Sequence, residues 1–367
     1  MRKFLYGAFL LLAACGTASN ADFHTKIVFD NPLPFKSEDH VLKREYINLE
    51  FNENGYFSDV DKVIIGNDKI YLLEKMTKKG VICFNNKGEY LYTIGTHGQG
   101  PEEFQDISDM NIDHEGNLIL LDRGKNAMLI YGTDQKMLQS RKLPFRAQSF
   151  ATMADKNWAF SLVTENDESI YHKAKLIFTD QDFNNPTIIQ KYQEEETAAF
   201  YSLGHFATDG ENILFYKAVA DSLIRFDKHG NVLQSIFLDF GSKSLPQEIQ
   251  YDMMKIMDVK PSETYSYITV TPRLLGKYIL GLTSGKAAPG TFLADLSTGQ
   301  TYTTVFGGNE ISHTDINKPI GQIGDWAFIN YINGDMASLD RDFDILPIAT
   351  QDHLKNEGTT LIIHYLK

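Results

Sequence analysis

The chain has 367 residues, of which 43% are hydrophobic, and a formal net charge of -13. This composition is typical of a globular protein with a large core. The negative charge argues against nucleic acid as a partner, because phosphate binding needs a basic surface. Two cysteines, Cys15 and Cys83, are too few for a disulfide framework. The apolar run around Cys83 predicts a buried, unreactive thiol.

The N-terminus has the pattern of an export signal. A basic start precedes an apolar run, residues 4–12, that is too short to span a membrane. Residues 12–15 then resemble the lipobox of bacterial lipoproteins, which implies cleavage before Cys15 and lipidation of its thiol. An ordinary secretory signal with an incidental cysteine is the alternative. We expect a lipoprotein signal peptide at 1–14 and a lipidated tether at 15–36.

Short alternating apolar runs, separated by Gly, Asn and Asp turns, predict β-strands along the rest of the chain. The clearest unit runs from residue 107 to residue 143 and contains four of them. An aromatic residue recurs at the end of the third run, about 47 residues apart, at Phe84, Tyr131, Phe178 and Phe226. This period lies in the range of propeller blades or related repeats. Four-stranded units stacked around an axis bury both faces of each sheet, so the sequence predicts a β-propeller.

The two ends of the chain predict how the ring closes. Residues 360–365 match the third-strand pattern, and no fourth strand follows them. Residues 46–51 form a strand without a unit of its own, so we expect this strand to complete the last blade. The alternative makes residues 337–348 the final hairpin. The expected fold is an all-β, six-bladed propeller of four-stranded antiparallel blades, closed by an N-terminal strand, as one domain at 37–367.

A family resemblance supports this fold. Residues 94–104, the turn at Gly116-Asn117 and the turn at 122–126 resemble the NHL repeat and its TolB-like relatives, which carry a G-x-G-P-x-E-F-like crossing and a D-x-G-N-like turn. The whole chain is similar to six-bladed propeller lipoproteins of the Bacteroides type. The resemblance implies a fold and a compartment rather than a reaction. The compartment is the cell envelope, where the protein would be an outer membrane lipoprotein held only by its lipid anchor, facing the periplasm or the surface.

Topology predicts which face of the propeller would carry a ligand site. Loops between second and third strands share a face with the blade-to-blade crossings, and the long segments 239–265 and 333–358 fall there. In the first, we expect a helical insertion near 244–258 with Ser244 as its cap and Gln247 completing a capping box. This helix would be packed on the propeller or, alternatively, serve as a mobile lid.

Polar side chains predicted on this face are candidates for binding a sugar, a peptide or a small anion, although each by itself is compatible with a solvated loop residue. They are His97, Arg123, Lys125, Arg146, His205, Lys217 and Lys286.

No catalytic residue can be assigned from the sequence. Zinc-ligand spacings, a nucleophile elbow, a Walker loop and a complete dinucleotide motif are all missing. Aspartates in the repeat, such as Asp109, Asp113 and Asp122, are expected to be structural rather than metal ligands. Because a propeller can assemble a site from distant residues, the missing motifs favour a non-enzyme without deciding the question.

Three functions remain open. The first is a non-catalytic binding module for an unknown small molecule, glycan or envelope protein, with no cofactor. The second, implied by resemblance to calcium-dependent lactonase-type propellers, is a metal-dependent hydrolase with Ca²⁺ in the central channel. The third is a structural subunit of an envelope complex, for which large apolar patches would be evidence.

Overall fold

The computed structural model describes residues 24–50, 57–76, 80–166, 170–196, 204–258, 263–285, 290–304, 312–313 and 318–367. Six β-sheets surround a central axis, and each is built on four antiparallel strands. The innermost strands of successive blades contact one another in order around the axis. The predicted six-bladed propeller is therefore confirmed.

The strands follow the predicted succession of units. Three strands precede the first complete blade: β1 (His24–Val28), β2 (Leu33–Pro34) and β3 (Val41–Leu49). Blade one contains β4 (Lys62–Gly66), β5 (Lys69–Leu73), β6 (Val81–Asn85) and β7 (Tyr90–Ile94). Blade two contains β8 (Ile107–Ile112), β9 (Leu118–Asp122), β10 (Ala127–Tyr131) and β11 (Met137–Lys142). Blade three contains β12 (Ala147–Thr152), β13 (Trp158–Leu162), β14 (Ala174–Thr179) and β15 (Thr187–Lys191).

The second half of the ring is less regular. Blade four contains β16 (Phe206–Thr208), β17 (Asn212–Phe215), β18 (Ser222–Asp227) and β19 (Val232–Asp239). Blade five contains β20 (Tyr267–Ile268), β21 (Arg273–Leu275), β22 (Tyr278–Ser284), β23 (Gly290–Asp295) and β24 (Thr301–Thr303). Its innermost position is divided, because β20 and β21 both pair with β22. Blade six contains β25 (Gly321–Ile323), β26 (Ala327–Asn333) and β27 (Thr359–Leu366).

Apolar side chains fill the space between each pair of neighbouring blades. Leu72 of blade one, for example, packs in one cluster with Ile329 of blade six. Because the sheets are covered on both faces, inner strands such as β9 are buried at every position. The four recurring aromatics all lie on third strands, which explains the period of the sequence. Burial also raises the pKa of the Cys83 thiol to about 12, as expected for an unreactive cysteine.

The N-terminal strand closes the ring as predicted. Strand β3 pairs antiparallel with β27 as the outermost strand of blade six, with Ile47 opposite Leu361. Both side chains are buried. The alternative hairpin at 337–348 is wrong, because this stretch contains a helix end and a 3₁₀ turn, Phe343–Ile345, rather than strands.

The predicted tether is wrong from His24 onward. Strand β1 pairs parallel with β19 of blade four, and β2 pairs parallel with β24 of blade five. Ile27 and Phe35 are buried between blades, and the Phe29 ring stacks on Phe240 with centroids 4.3 Å apart. The segment therefore runs along the outer edges of blades four and five before it reaches blade six. Its apolar residues show no clear periodicity that would reveal a strand in the sequence.

The helical insertion differs in detail from its prediction. It forms two short helices, α2 (Gln247–Gln250) and α3 (Met253–Met257), after a four-residue helix α1 (Ser37–His40) earlier in the chain. Ser244 caps neither helix: α2 follows Pro246, and Asp252 caps α3 by accepting the amides of Met254 and Lys255. Since Ile256 is buried, α3 is packed on the propeller.

A second insertion joins β26 to β27. It contains α4 (Gly334–Ala337), the 3₁₀ turn and α5 (Ile348–Lys355). Leu346 and Leu354 pack against Ile362 on the sheet of blade six. Two further 3₁₀ turns occupy Ala154–Lys156 and Gly241–Lys243.

Candidate functional site

The predicted residues of blades one and two stabilise a crossing rather than form a pocket. The Arg123 guanidinium donates through Nε to Asp106 Oδ2 over 2.9 Å, and Lys125 Nζ donates to the Gly100 carbonyl. His97 is exposed, and its ring lies edge-on to Phe104 with centroids 5.7 Å apart. Arg123 and Lys125 therefore make hydrogen bonds within the crossing, and His97 contacts it through Phe104.

The remaining predicted residues differ in burial, and two of them are not described by the structure. Arg146 has an exposed side chain, and its backbone N–H donates to Asn166 Oδ1 over 2.7 Å. Cys15 and Lys286 lie outside the described residues. The structure buries His205 and Lys217, and the Tyr216 amide, next to Lys217 in the chain, donates to the His205 carbonyl.

A buried polar cluster lies at the innermost strands, with Asp109 at its centre. Asp109 Oδ1 accepts from Lys62 Nζ over 2.8 Å and from the Met110 amide over 2.9 Å. Asp109 Oδ2 accepts from the Ser149 hydroxyl and from the Phe150 amide. Burial by itself would raise the pKa of Asp109, but Lys62 and the hydrogen bonds hold it below its ordinary value. This carboxylate connects blades one, two and three.

The Asp109 carboxylate is a poor ligand for a calcium ion. Four hydrogen bonds saturate the oxygens of Asp109, and one of the donors is already a cation. Arg273 is also buried, with a pKa lowered by desolvation to about 10, and it donates to the Pro319 carbonyl. Calcium requires six to eight oxygen ligands that are free to coordinate. The contacts of Asp109 instead hold three blades together.

His205 is a buried neutral histidine of the same cluster. Its Nδ1 lies 2.6 Å from Ser161 Oγ, and its Nε2 has no hydrogen-bond partner among the described residues. Desolvation lowers its pKa to about 4. The ring therefore stays uncharged at neutral pH and offers one unused nitrogen.

Lys217 lies in a polar pocket on the crossing face, between blades three and four. The pocket has a volume of about 280 Å³ and is covered by Gln250 and Tyr251 of the helical insertion. Gln250 Nε2 donates to the Val219 carbonyl over 2.9 Å, which joins the insertion to blade four. The other lining residues that bear charge are Lys175, Lys191, Glu196 and Asp221.

The Lys217 ammonium has no carboxylate partner among the described residues. It donates to the Leu162 carbonyl over 3.3 Å and to the Tyr192 hydroxyl. Lys175, by contrast, forms an ion pair with Glu196 at 2.7 Å. Desolvation, and then repulsion from Lys175, lower the pKa of Lys217 to about 7. A buried lysine in this state gains from any anion that enters the pocket.

Sequence reasoning named Lys217 as one candidate but did not predict its surroundings. Tyr192 and Lys175 come from blade three, and they meet Lys217 only because the blades stack. Only the position of Tyr192 could have indicated a site. This residue directly follows the fourth strand of its blade, at the face where the crossings lie.

The fold and this pocket define a class: a six-bladed propeller with a polar pocket, lined by a buried lysine, on its crossing face. Residues 21–338 match the model of the domain of unknown function DUF4934, so the chain belongs to the DUF4934 family. No curated protein sequence matches it. No helix among the described residues is long and apolar enough to cross a membrane.

Two crystal structures from Bacteroides are similar to this chain. One is of a Bacteroides fragilis NCTC 9343 protein whose name describes it as exported; it has a TM-score of 0.73 and 18% identity, over 94% of this chain and 100% of that one. The other is a DUF4221 family member from Bacteroides vulgatus ATCC 8482, with a TM-score of 0.54 and 13% identity, over 89% of this chain and 97% of that one. At these identities the likeness shows a shared fold.

Proposed function

We propose that the protein is an exported, non-catalytic binding module that takes a small anionic ligand, such as a carboxylate, in the pocket of Lys217. The observation that carries the proposal is the buried Lys217 amine, which faces a polar cavity and has only neutral oxygens as hydrogen-bond partners among the described residues. An entering carboxylate would supply the missing countercharge. Gln190, Gln193 and Ser222 also line the pocket and offer hydrogen bonds to a polar molecule.

Export and anchoring are part of the proposal. The apolar run and lipobox that end at Cys15 support a lipoprotein of the outer membrane, and a similar Bacteroides protein is named as exported. The NHL-like crossing at 94–104 supports kinship with TolB-like repeats. A lipid anchor would leave the crossing face free to meet ligands outside the cytoplasm.

Calorimetric titration with matched ligand pairs tests the binding proposal. Glutarate is compared with glutaramide, and glucuronate with glucose, because only the anionic member of each pair carries a carboxylate. We expect an anionic member to bind and its neutral counterpart to fail. Lys217→Met should weaken this binding by roughly 10- to 100-fold, the worth of a charged hydrogen bond. Lys156→Met serves as the control, since Lys156 pairs with Glu115 away from the pocket. Equal binding by both members, or by Lys217→Met, would contradict the proposal.

A further inference from the structure

Three metal-ligating side chains meet where blades five and six adjoin. His313 comes from the crossing that follows blade five, and Asp340 and Asp342 come from the insertion between β26 and β27. One ligand atom from each of the three lies within 4.8 Å of the others. The group is separate from the pocket of Lys217, and it joins two segments that are distant from each other along the chain.

Two atoms of this group are buried without hydrogen bonds. His313 Nδ1 and Asp340 Oδ2 lie 3.3 Å apart, and neither has a hydrogen-bond partner among the described residues. The residues are 2% and 9% exposed. This contact is an ion pair when His313 is protonated, but neither atom makes a hydrogen bond, and buried polar atoms nearly always do. Both atoms are therefore available to a shared partner between them.

The other oxygens of the group are held in place. The Asp342 backbone N–H donates to Asp340 Oδ1 over 2.8 Å, which leaves Oδ2 directed toward His313. The Ser312 hydroxyl donates to the carboxylate of Asp342, and the exposed Arg341 guanidinium pairs with the same carboxylate over 3.3 Å. Ligands of bound metals are oriented by hydrogen bonds of this kind.

We propose that His313, Asp340 and Asp342 bind a divalent transition-metal ion, with zinc as the best fit. At bond lengths of about 2.1 Å, a separation of 3.3 Å corresponds to a ligand–metal–ligand angle of roughly 100°, close to tetrahedral. One imidazole and two carboxylates suit zinc or manganese better than calcium. Asp342 is partly exposed, so water can complete the coordination. The ion would connect His313, which follows blade five, to Asp340 and Asp342 of the insertion.

Arg44 provides the competing explanation. Its Nε and Nη2 are buried without hydrogen bonds among the described residues. Burial raises the pKa of Tyr46 and lowers the pKa of His364; the nearby Arg44 charge opposes the first change and adds to the second. A side-chain rearrangement that pairs Arg44 with Asp340 would satisfy both groups without a metal. The two explanations predict opposite results for removal of the Asp340 charge.

Metal binding by the purified full chain, stripped with a chelator, decides between them. Titration with Zn²⁺ should show one ion per chain and raise the melting temperature by several degrees, whereas Ca²⁺ should have little effect. His313→Gln and Asp340→Asn should each weaken Zn²⁺ binding at least tenfold. Asp344→Asn and His114→Gln, at exposed positions, are the matched controls and should bind as the wild type does.

The melting temperatures of the metal-free proteins keep the proposal testable if a variant folds poorly. Under the metal proposal, metal-free Asp340→Asn melts no lower than metal-free wild type, because the variant removes a buried charge while its side-chain oxygen still accepts the Asp342 amide. Addition of Co²⁺ to the wild type should give the visible absorption of a near-tetrahedral site. A lower melting temperature for Asp340→Asn, together with a wild type that Zn²⁺ does not stabilise, would overturn the proposal in favour of an Arg44 ion pair.

Discussion

Replacing Lys217 by methionine should stabilise the protein, and the gain should depend on pH. A pKa lowered from 10.5 to about 7 corresponds to roughly 5 kcal/mol of unfavourable free energy for keeping the ammonium in the folded protein. The unfolded state binds this proton more tightly, so the penalty is complete below pH 7 and disappears as the pH rises toward 10.5. Methionine has a similar length and no charge. Tyr192 stays satisfied in the variant, because its hydroxyl also donates to the Leu162 carbonyl over 2.6 Å.

Urea unfolding at pH 7 and pH 9, followed by circular dichroism, measures this effect. The stability advantage of Lys217→Met over the wild type should be larger at pH 7 than at pH 9 by roughly 2 kcal/mol. Lys191→Met is the control, because Lys191 lines the same pocket but is exposed. An advantage that is the same at both pH values, or a variant less stable than the wild type at pH 7, would refute the reasoning.

Three further variants test the closure of the ring, its outer edge and the export signal. Gly88→Ala should lower the unfolding free energy by several kcal/mol more than Gly210→Ala. Both glycines have positive φ, but a Cβ at Gly88 would lie 2.1 Å from a backbone carbonyl oxygen of β3, whereas a Cβ at Gly210 would meet nothing within 4 Å. Ile27→Ala should lower the unfolding free energy by about 2–5 kcal/mol and the half-exposed Val28→Ala by under about 1, whereas a true tether would show no difference. Cys15→Ser should abolish labelling of the protein by a fatty acid in cells, and retained labelling would exclude this lipidation site.

The sequence revealed the elements whose burial is periodic. The spacing from Phe84 to Phe226 predicted the blades, since a covered four-stranded sheet imposes the same pattern each time. The pairing of β3 with β27 followed from an unmatched strand at each end. Both inferences depend on strand patterns that can be recognised within one short stretch of sequence.

Contacts between distant segments were not predictable where neither segment carries a recognisable strand or helix pattern. Residues 24–36 read as a tether because short edge strands need only one or two buried side chains, here Ile27 and Phe35. Ser244 looked like a helix cap, but Pro246 moves the start of the helix forward. Lys217 was one polar residue among seven candidates. Its buried surroundings include Tyr192, which lies on the neighbouring blade.

The most direct test of the binding account is the titration of the Lys217 side chain by NMR, with ¹³Cε-labelled lysine and Lys217→Met for assignment. We predict a pKa of about 7 in the free protein and a higher value once glutarate or glucuronate is bound, because the anion stabilises the ammonium. A lysine that titrates near 10.5 in the free protein, and does not change with any anion tested, would contradict the binding account.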